Sequence, residues 1–491
     1  MKRLPNRPAS KNSDPLERFR GLLSTAEQHA LLEELQRPLR LGLRMNSLKT
    51  DALMLQRWAQ RYGWVLQPSP FCEDGWWIEK SDVSPSQVMP HRLGFYYLQD
   101  VASMLPVSLF DFPPDGEPLI LDMAASPGGK TTHIISRTGD RGLVIANDSS
   151  AERIVALRLV LQSWGGVNVG VTRFAGENFG AWFPEVFDFV LLDAPCSMQS
   201  LRSTETHPAR PISDKEQGAL SLRQFRLLVS ALQAVRVGGQ VVYATCTLSP
   251  EEDEAVLDQA LSACGMCVQI EDVSNRLPRP APALISDGVR SFAAPVRNAL
   301  RLWPHLYRTS GFFVALLTKA LPLSTTRQSA PSRPFEKTGL APLKRHEVKN
   351  LMSCLEDAYG FALLPVVERM ALSLWRRGAE IFLLPERWLR GFSQLPYQML
   401  GMSLGKEMPE GFSPSHEWVA RYGMAFQSGR VILDEKEAAA WISGADIGRS
   451  FLDCSPKGRT VAVMDAHGDL LGRGKALADR LKNLLPRRLA F

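Results

Sequence analysis

Apolar positions change their period several times along this chain, and the changes mark out its organisation. Between residues 118 and 264, short solid apolar runs alternate with stretches of three-to-four spacing. The runs at 119–123, 143–147, 169–174, 187–192 and 240–244 have the length and β-branched content of strands buried on both faces. Helical spacing fills 130–137, 151–163, 217–236 and 250–263. Strands alternating with helices predict an α/β, doubly wound parallel sheet covered on both sides. One further run, FFVALLTK at 312–319, predicts a strand at the end of that sheet.

The flanks read differently. Residues 15–36 have helical spacing, 37–50 (RPLRLGLRMNSLKT) alternates like a strand, 51–62 is helical, and 64–78 suits strands with turns. This predicts a small N-terminal α+β cap over 1–94. Residues 95–109 (FYYLQDVASMLPVSL) read as an amphipathic helix leading into the main domain, 95–320. A Pro-, Ser- and Thr-rich stretch, 321–345, reads as a linker. In the C-terminal region, 346–491, a helical stretch at 347–377 precedes short apolar runs split by Gly-Asp and Gly-Arg, which predict a small β-rich domain.

Composition changes this picture little: 45% hydrophobic and 22% charged residues are ordinary for a globular protein. No run approaches the roughly 18 apolar residues of a membrane span, and the N-terminus has no signal-type apolar core, so a cytoplasmic protein without membrane contact is expected. Seven scattered cysteines argue against a disulfide framework. Charge is more informative. Residues 1–320 carry 33 basic and 33 acidic side chains, whereas 321–491 carry 24 and 18, so the whole excess of +6 lies in the last third. Arg473, Lys475, Arg480, Lys482, Arg487 and Arg488 concentrate it further against Asp479 alone. Such a patch suits a polyanion through counterion release; a solvated basic face is the alternative.

Candidate chemistry gathers at three strand ends. FDFVLLDAPCS (187–197) delivers Asp193, Pro195 and Cys196 to the carboxyl end of a buried strand, and GQVVYATC (239–246) delivers Cys246. If those strands are parallel neighbours, two thiols and a carboxylate converge where open α/β sheets bind ligands. LDMAASPGGKTT (121–132) is a strand, a tight turn and a helix start, the setting in which backbone N–H groups receive a polar ligand. It lacks the G-x-G-x-x-G of a dinucleotide site. It nearly matches a phosphate-binding loop at Gly129-Lys130-Thr131, but Ala124 stands where the first glycine belongs. S-adenosylmethionine, which has no phosphate, suits the acid Asp122 at the strand end, with Asp148 placed for ribose hydroxyls after the next strand. A plain βα turn is the alternative.

With a methyl donor on that loop, cysteines acquire a purpose. Carbon 5 of a pyrimidine is a poor nucleophile until a thiolate adds at carbon 6, and cysteine can both add and depart. An acid near ring nitrogen 3 favours the addition. Amino-group methylation needs no cysteine, and its Asp/Asn-Pro-Pro-aromatic signature is absent. Buried cysteines that merely pack are the competing reading.

LDMAASPGGKT, FDFVLLDAPCS and VVYATCTLSPEEDE resemble, in spacing and order, the Sun family of RNA cytosine-5 methyltransferases; RMNSLK at 44–49, FYYLQDVASMLP and SGFF at 310–313 extend the likeness over about residues 30–320. The basic extension, with VMDAHGDLLGRGKAL and an LPRR ending, is similar to that of bacterial F-type 16S ribosomal RNA members, which implies a PUA-like RNA-binding domain. The resemblance implies that Cys246 is the nucleophile and that Cys196 assists product release. It also implies that Ala124, Ala125, Ser126, Pro127, Gly128, Gly129 and Lys130 cradle the methionine end of S-adenosylmethionine. Asp148 would hold its ribose, Asp193 would lie between donor and base, and no metal is required. The implied substrate is a cytosine of 16S ribosomal RNA, free or in the small ribosomal subunit, contacted also by the cap; a monomer is expected.

Three positions depart from the family pattern. Ser197-Met198-Gln199-Ser200 replaces Ser-Gly-x-Gly after Cys196; Ala175 replaces an acid on the adenine side, with Glu177 nearby; Thr309-Ser310 replaces His-Thr. They leave rivals open: a non-catalytic RNA-binding or ribosome-assembly factor, a transfer-RNA cytosine-5 methyltransferase, or an enzyme in which Cys196 is the nucleophile. Elsewhere, Cys264-x-x-Cys267 lacks a second ligand pair, so zinc is not expected. Trp64, Trp76 and Trp77 suit packing better than base stacking, and Arg37, Arg40 and Arg44 would line one strand face for phosphate contact or solvent.

Overall fold

A computed structural model describes residues 19, 21–202, 212–409, 411–448 and 458–489. The chain first builds a four-stranded antiparallel sheet, in the order β2-β3-β1-β4, from β1 (Leu41–Met45), β2 (Trp64–Pro68), β3 (Gly75–Ser81) and β4 (Tyr96–Gln99). Helix α1 (Thr25–Gln36) starts at a reciprocal cap: Glu27 N–H donates to Ser24 Oγ (3.3 Å) and Ser24 N–H donates to the Glu27 carboxylate (2.8 Å). The expected helix therefore begins at 25; its first positions, 15–18 and 20, lie outside the described residues. Helix α2 (Ala52–Tyr62) is capped by Asp51 and ends at Gly63.

Residues 95–109 are not one helix. Tyr96–Gln99 is extended and pairs with β1, Met45 opposite Tyr96. Helical turns follow only after Asp100, whose carboxylate accepts from Ala102 N–H at 3.0 Å. The aromatic run suits a pleated surface, and Pro106 restricts helix to a last short turn, Leu105–Ser108.

The apolar runs that follow form the main sheet, with β5 (Leu119–Asp122), β6 (Leu143–Asn147), β7 (Val169–Thr172), β8 (Phe187–Asp193), β9 (Val235–Thr245), β10 (Val268–Ile270), β11 (Leu300–Leu302) and β12 (Phe312–Lys319). Its order is β10-β12-β9-β8-β5-β6-β7, parallel from β9 to β7 and antiparallel at β12. Helices α3 (Gly129–Arg137), α4 (Ala151–Trp164), α5 (Asp214–Ala234) and α6 (Glu254–Cys264) cover its faces. β5, β6 and β7 expose almost nothing, as a doubly covered parallel sheet requires. The strand order reverses at β5, so a crevice opens beyond the carboxyl ends of β5 and its neighbours.

The C-terminal region is sewn to the rest. Met399–Leu400 adds an antiparallel edge strand to β7, and the ring of Trp388 lies where a Cβ on Gly170 would stand, so only glycine permits that approach. Ala341–Pro342, inside the Pro/Ser-rich stretch, pairs with Leu372–Arg377. Residues 347–377 are only partly helical: Arg345–Tyr359 stops at Gly360, Leu364–Arg369 is a short helix, and Leu372–Arg377 forms a hairpin with Glu380–Pro385. Five-stranded sheets on either side of the helix His416–Tyr422 make this region β-rich. Its core is continuous with the cap: Leu55 and Trp58 pack in one cluster with Trp418, Trp441 and Val463. Trp58 Nε1 donates to Asp469 Oδ1 (3.0 Å), and Arg61 donates to Asp465 (2.7 Å) and Asp469 (2.9 Å).

A charged pin joins the same region to the main sheet domain. Arg421, on the helix His416–Tyr422, is 3% exposed and pairs with the fully buried Asp140, which also accepts from the N–H groups of Val167 and Asn168. Removing one partner of a buried pair strands the other charge. Arg421→Ala is expected to lower stability by about 3–5 kcal/mol, and Arg421→Met with Asp140→Asn by clearly less, in denaturant unfolding of the two variants. Equal losses would show that packing, not charge, holds the joint.

Candidate active site

β8 and β9 are parallel neighbours, with Asp193 opposite Ala244, so their carboxyl ends emerge side by side. Ala194 N–H donates to Ala244 O at 2.8 Å, which keeps the two loops together beyond the sheet. The result is close: Cys196 Sγ lies 3.3 Å from Cys246 Sγ, and both residues are half-buried. The two thiols are not equivalent. The hydrogen bond from Cys196 pulls the Cys246 thiol below its ordinary value, against the upward push of burial and of Asp193, with Lys130 helping. Cys196 is pushed well up, first by that same bond and then by burial. Either sulfur can donate in this contact, and the two displacements favour the thiolate on Cys246.

Lys130 and Asp193 face this pair. Lys130 Nζ donates to Asp193 Oδ2 at 2.6 Å and lies 5.5 Å from the Phe312 ring centroid. Burial pulls the ammonium down, but Asp193 outweighs it and the net displacement is upward. Asp193 remains partly exposed, open to the crevice.

Residues that sequence reasoning left without roles hold the two cysteine loops in place. Glu252, fully buried, accepts from Ser197 N–H (2.9 Å), Ser197 Oγ (2.5 Å) and Gln224 Nε2 (2.9 Å), while Gln224 also donates to Pro195 O at 2.9 Å. That clamps the loop of Cys196. Asp253 accepts from Thr245 Oγ1 at 2.6 Å, one residue before Cys246. Of three adjacent buried acids, Glu252, Asp253 and Glu254, the last two have Arg301 as their cation: it donates to Glu254 Oε1 (2.8 Å), Asp253 Oδ2 (3.3 Å) and Leu248 O (2.9 Å). Burial holds the Asp253 carboxyl well above its ordinary value in spite of Arg301. The signal was legible as an acid run, PEEDE, directly after the second cysteine. Its single basic partner lies about fifty residues on and carries no local mark.

The turn from Ala124 to Gly129 is brought to the same crevice from β5. Ala125 N–H donates to Asn147 O (2.7 Å), and Ser126 N–H donates to Asp148 Oδ2 (3.3 Å), so the turn is tied to the end of β6. Gly128, at φ +114°, packs where a Cβ would press on Leu157 and Val160, and α3 begins at Gly129. Helix geometry leaves the first N–H groups of α3 without intrahelical acceptors, facing the crevice end of the sheet. Asp122 is fully buried; Thr131 Oγ1 donates to its Oδ2 at 2.6 Å, Oδ1 has no partner, and burial lifts the carboxyl to about 7. Asp148, 2% exposed, also accepts from Ser150 N–H at 2.9 Å. Ala124 and Lys130 are half-buried and Pro127 is exposed. Ala175 is exposed beyond β7; nearby Glu177 accepts from Arg223 at 3.1 Å through Oε1, while its buried Oε2 has no hydrogen-bond partner among the described residues. Asn147, not singled out in the sequence, ties Met123 O (3.1 Å) to Phe174 O (2.9 Å) across the crevice floor.

Arg37, Arg40 and Arg44 do not share one strand face: only Arg44 lies on β1. Arg44 is fully buried, donates to Gly129 O (2.9 Å) and Thr132 Oγ1 (2.7 Å), and stacks 4.7 Å from the Trp164 ring, because β1 lies directly against the start of α3. It therefore meets neither phosphate nor solvent; it fastens the cap to the turn that opens α3. Arg40 stacks on Trp77 at 4.2 Å and pairs with Glu79, while Arg37 is exposed beside Glu34. Trp64 and Trp77 are buried in apolar clusters.

A family model described as "16S rRNA methyltransferase RsmB/F" matches residues 111–318, and one described as "N-terminal domain of 16S rRNA methyltransferase RsmF" matches 13–101. The chain is 33% identical over 465 residues to "Ribosomal RNA small subunit methyltransferase F" of Aeromonas hydrophila, covering 92% of each chain. It is 34% identical over 461 residues to the protein of that name in Klebsiella pneumoniae, covering 92% of this chain and 91% of that one. Among solved structures, a methyltransferase homolog protein from Pyrococcus horikoshii is similar with a TM-score of 0.52 and 28% identity, covering 62% of this chain and 98% of that one.

The asymmetry of the thiols is measurable. Because its pKa lies below the usual thiol value, Cys246 keeps its thiolate to lower pH, so alkylation by iodoacetamide should persist below the pH at which an ordinary thiol stops reacting. In Cys196→Ala the largest cause of that shift is gone, and the Cys246 labelling profile should move to higher pH. An unmoved profile would show that the hydrogen bond does not set it.

Proposed function

The chain belongs to the family of 16S ribosomal RNA small-subunit methyltransferases of the RsmB/F type, and from that premise we propose that it methylates carbon 5 of one cytosine in 16S ribosomal RNA, using S-adenosylmethionine and a covalent cysteine intermediate. The observation that carries the reading is the thiol pair: two sulfurs 3.3 Å apart, inequivalent in acidity, beside a Lys130–Asp193 pair at the end of the adjoining strand. Methylation of an exocyclic amine or a ribose hydroxyl has no use for such a pair.

The crevice end of β5 and β6 fits the donor chemically. A turn of Ala124, Ala125, Ser126, Pro127, Gly128 and Gly129, running into Lys130, offers the N–H groups at the start of α3 to a carboxylate. The buried Asp122, with an unpartnered oxygen, suits an ammonium, and Asp148 suits ribose hydroxyls. S-adenosylmethionine bound there supplies an electrophilic methyl group. Ala175 leaves the adenine side without an acid.

In this reading Cys246 thiolate adds to carbon 6 of a cytosine unstacked into the crevice, as base-modifying enzymes require. Asp193, held by Lys130, faces ring nitrogen 3 and accepts a hydrogen bond from the proton that this nitrogen takes up from solvent as the ring becomes an enamine. After methylation the carbon-5 proton passes to solvent water in the open crevice, its electron pair forms the carbon-5–carbon-6 double bond, and Cys246 departs as a thiolate that takes a proton from Cys196, which regains one from solvent. The basic C-terminal strands, with Arg480 and Lys482 on Arg480–Asn483, act as a PUA-like RNA-binding module, and the cap contacts the same RNA. A cytoplasmic monomer acting on the free RNA or the small subunit completes the proposal. Retention of both cysteines and Asp193 weighs against a purely structural assembly factor, and the similarity to small-subunit relatives weighs against a transfer-RNA substrate.

Trapping separates the roles. Cys246→Ala should abolish the covalent RNA adduct and lower methyl transfer by roughly a thousandfold or more. Cys196→Ala should keep the adduct and accumulate it; the reverse pattern would make Cys196 the nucleophile. Base-resolution mapping of 5-methylcytosine in cells lacking the gene should lose one site in 16S ribosomal RNA, and no lost site would favour the assembly-factor reading. For the C-terminal module, Arg480→Ala with Lys482→Ala should reduce the slope of log affinity against log salt by about 2 without changing the turnover of bound RNA.

A further inference from the structure

The loop from Cys196 to Arg202 is built around two non-glycine residues in the left-handed region, Met198 (φ +57°) and Leu201 (φ +66°). Such a conformation is disfavoured for a residue with a Cβ and persists only where surroundings or function impose it. Leu201 has a structural reason. Its side chain packs against a small core of Phe19, Leu31, Leu248 and Trp303, and the next residue, Arg202, is anchored to Glu34 Oε1 (2.5 Å) and Glu34 O (2.9 Å).

Met198 has no such reason. It is 48% exposed and joins none of the apolar clusters formed by the described residues. What imposes its backbone is the site itself. Its N–H donates to the sulfur of Cys196, its carbonyl accepts from Ser200 N–H (2.9 Å), and the following residues are stitched to the second cysteine loop through Leu248 N–H to Gln199 O (3.1 Å) and to Gly311 N–H through Ser200 O (2.8 Å). With both ends of the loop fixed, the strained residue stands beside the Cys196 sulfur with a flexible, apolar, polarisable side chain that is nearly half exposed and outside the apolar clusters of the described residues. An exposed thioether on a strained backbone, beside a nucleophile, is a wall waiting for an apolar face.

We propose that Met198 is a specificity-determining residue whose side chain lies against the face of the pyrimidine held between Cys246 and Asp193. This rests on the reaction proposed above and goes beyond it by assigning the missing wall of the base pocket. The fully buried Glu252 beneath the loop and the anchored Arg202 at its end keep the thioether from retreating when RNA enters. The flat face of an extruded base, unlike a phosphate or a sugar, matches what the side chain offers.

Three proteins test it: the full chain, Met198→Gly and Met198→Leu, each measured for thermal unfolding and for methyl transfer to small-subunit ribosomal RNA. Glycine adopts the left-handed conformation freely, so Met198→Gly should melt higher than the parent, while its KM for RNA rises about tenfold at little-changed kcat. Met198→Leu, which keeps the bulk, should return KM to within about twofold of the parent. Met198→Gly with the parent's KM would overturn the assignment and make the residue a mere turn. Met198→Gly melting lower than the parent would overturn the strain argument and the proposal with it. A parent chain that methylates no pyrimidine of the RNA would overturn the reaction itself, and the wall would fall with it, a result distinct from an active parent and an indifferent glycine variant.

Discussion

The two loops that carry the cysteines are held by a run of buried acids and one buried cation. Arg301 is surrounded by Asp253 and Glu254, with Glu252 alongside, all without exposure to solvent. Charges so placed are tolerable only when each finds a partner, and the partners here are the backbone and hydroxyls of the two loops that carry the cysteines. Glu252 grips Ser197, Asp253 grips Thr245, and Arg301 itself grips Leu248 O. The cost of burying three acids is thereby converted into a fixed separation of two sulfurs. A hydrophobic core alone would hold the strands, but the loops beyond the strand ends are fixed by these polar contacts.

The same economy of buried polar groups joins the parts of the chain. Arg44 leaves the cap sheet to bond Gly129 O at the start of α3, Arg421 leaves the C-terminal region to meet Asp140, and Lys49 is spent on two backbone carbonyls, Leu93 O (2.7 Å) and Ser163 O (2.6 Å). Burial pushes the Lys49 ammonium well down, with Arg421 adding to the push. Each joint also carries apolar packing, and Trp58 and Trp388 sit at two of them. The Pro/Ser-rich stretch consequently follows the surface instead of acting as a tether: Gln328 N–H bonds Ala181 O and Arg333 N–H bonds Gln394 O. The C-terminal region therefore packs directly against the cap, and the exposed basic side chains of Arg480 and Lys482 belong to the same body as the crevice.

Periodicity by itself determined the alternation of strands and helices from Leu119 to Cys264, because a doubly covered parallel sheet needs solid apolar runs and short connections. It also determined that Asp193, Cys196 and Cys246 end strands, and that the turn from Ala124 to Gly129 opens a helix. It misled at 95–109 and at 372–377, where short apolar segments fit either period and the choice fell to neighbours: β1 recruits Tyr96–Gln99, and Glu380–Pro385 recruits Leu372–Arg377. Tertiary structure alone brought the two thiols to 3.3 Å of each other, a contact between residues fifty positions apart. It alone removed Arg44 from the surface, paired Arg301 with the acid run, and left Met198 strained beside the Cys196 sulfur. These are properties of distance between residues far apart in the chain, and local pattern carries no record of them.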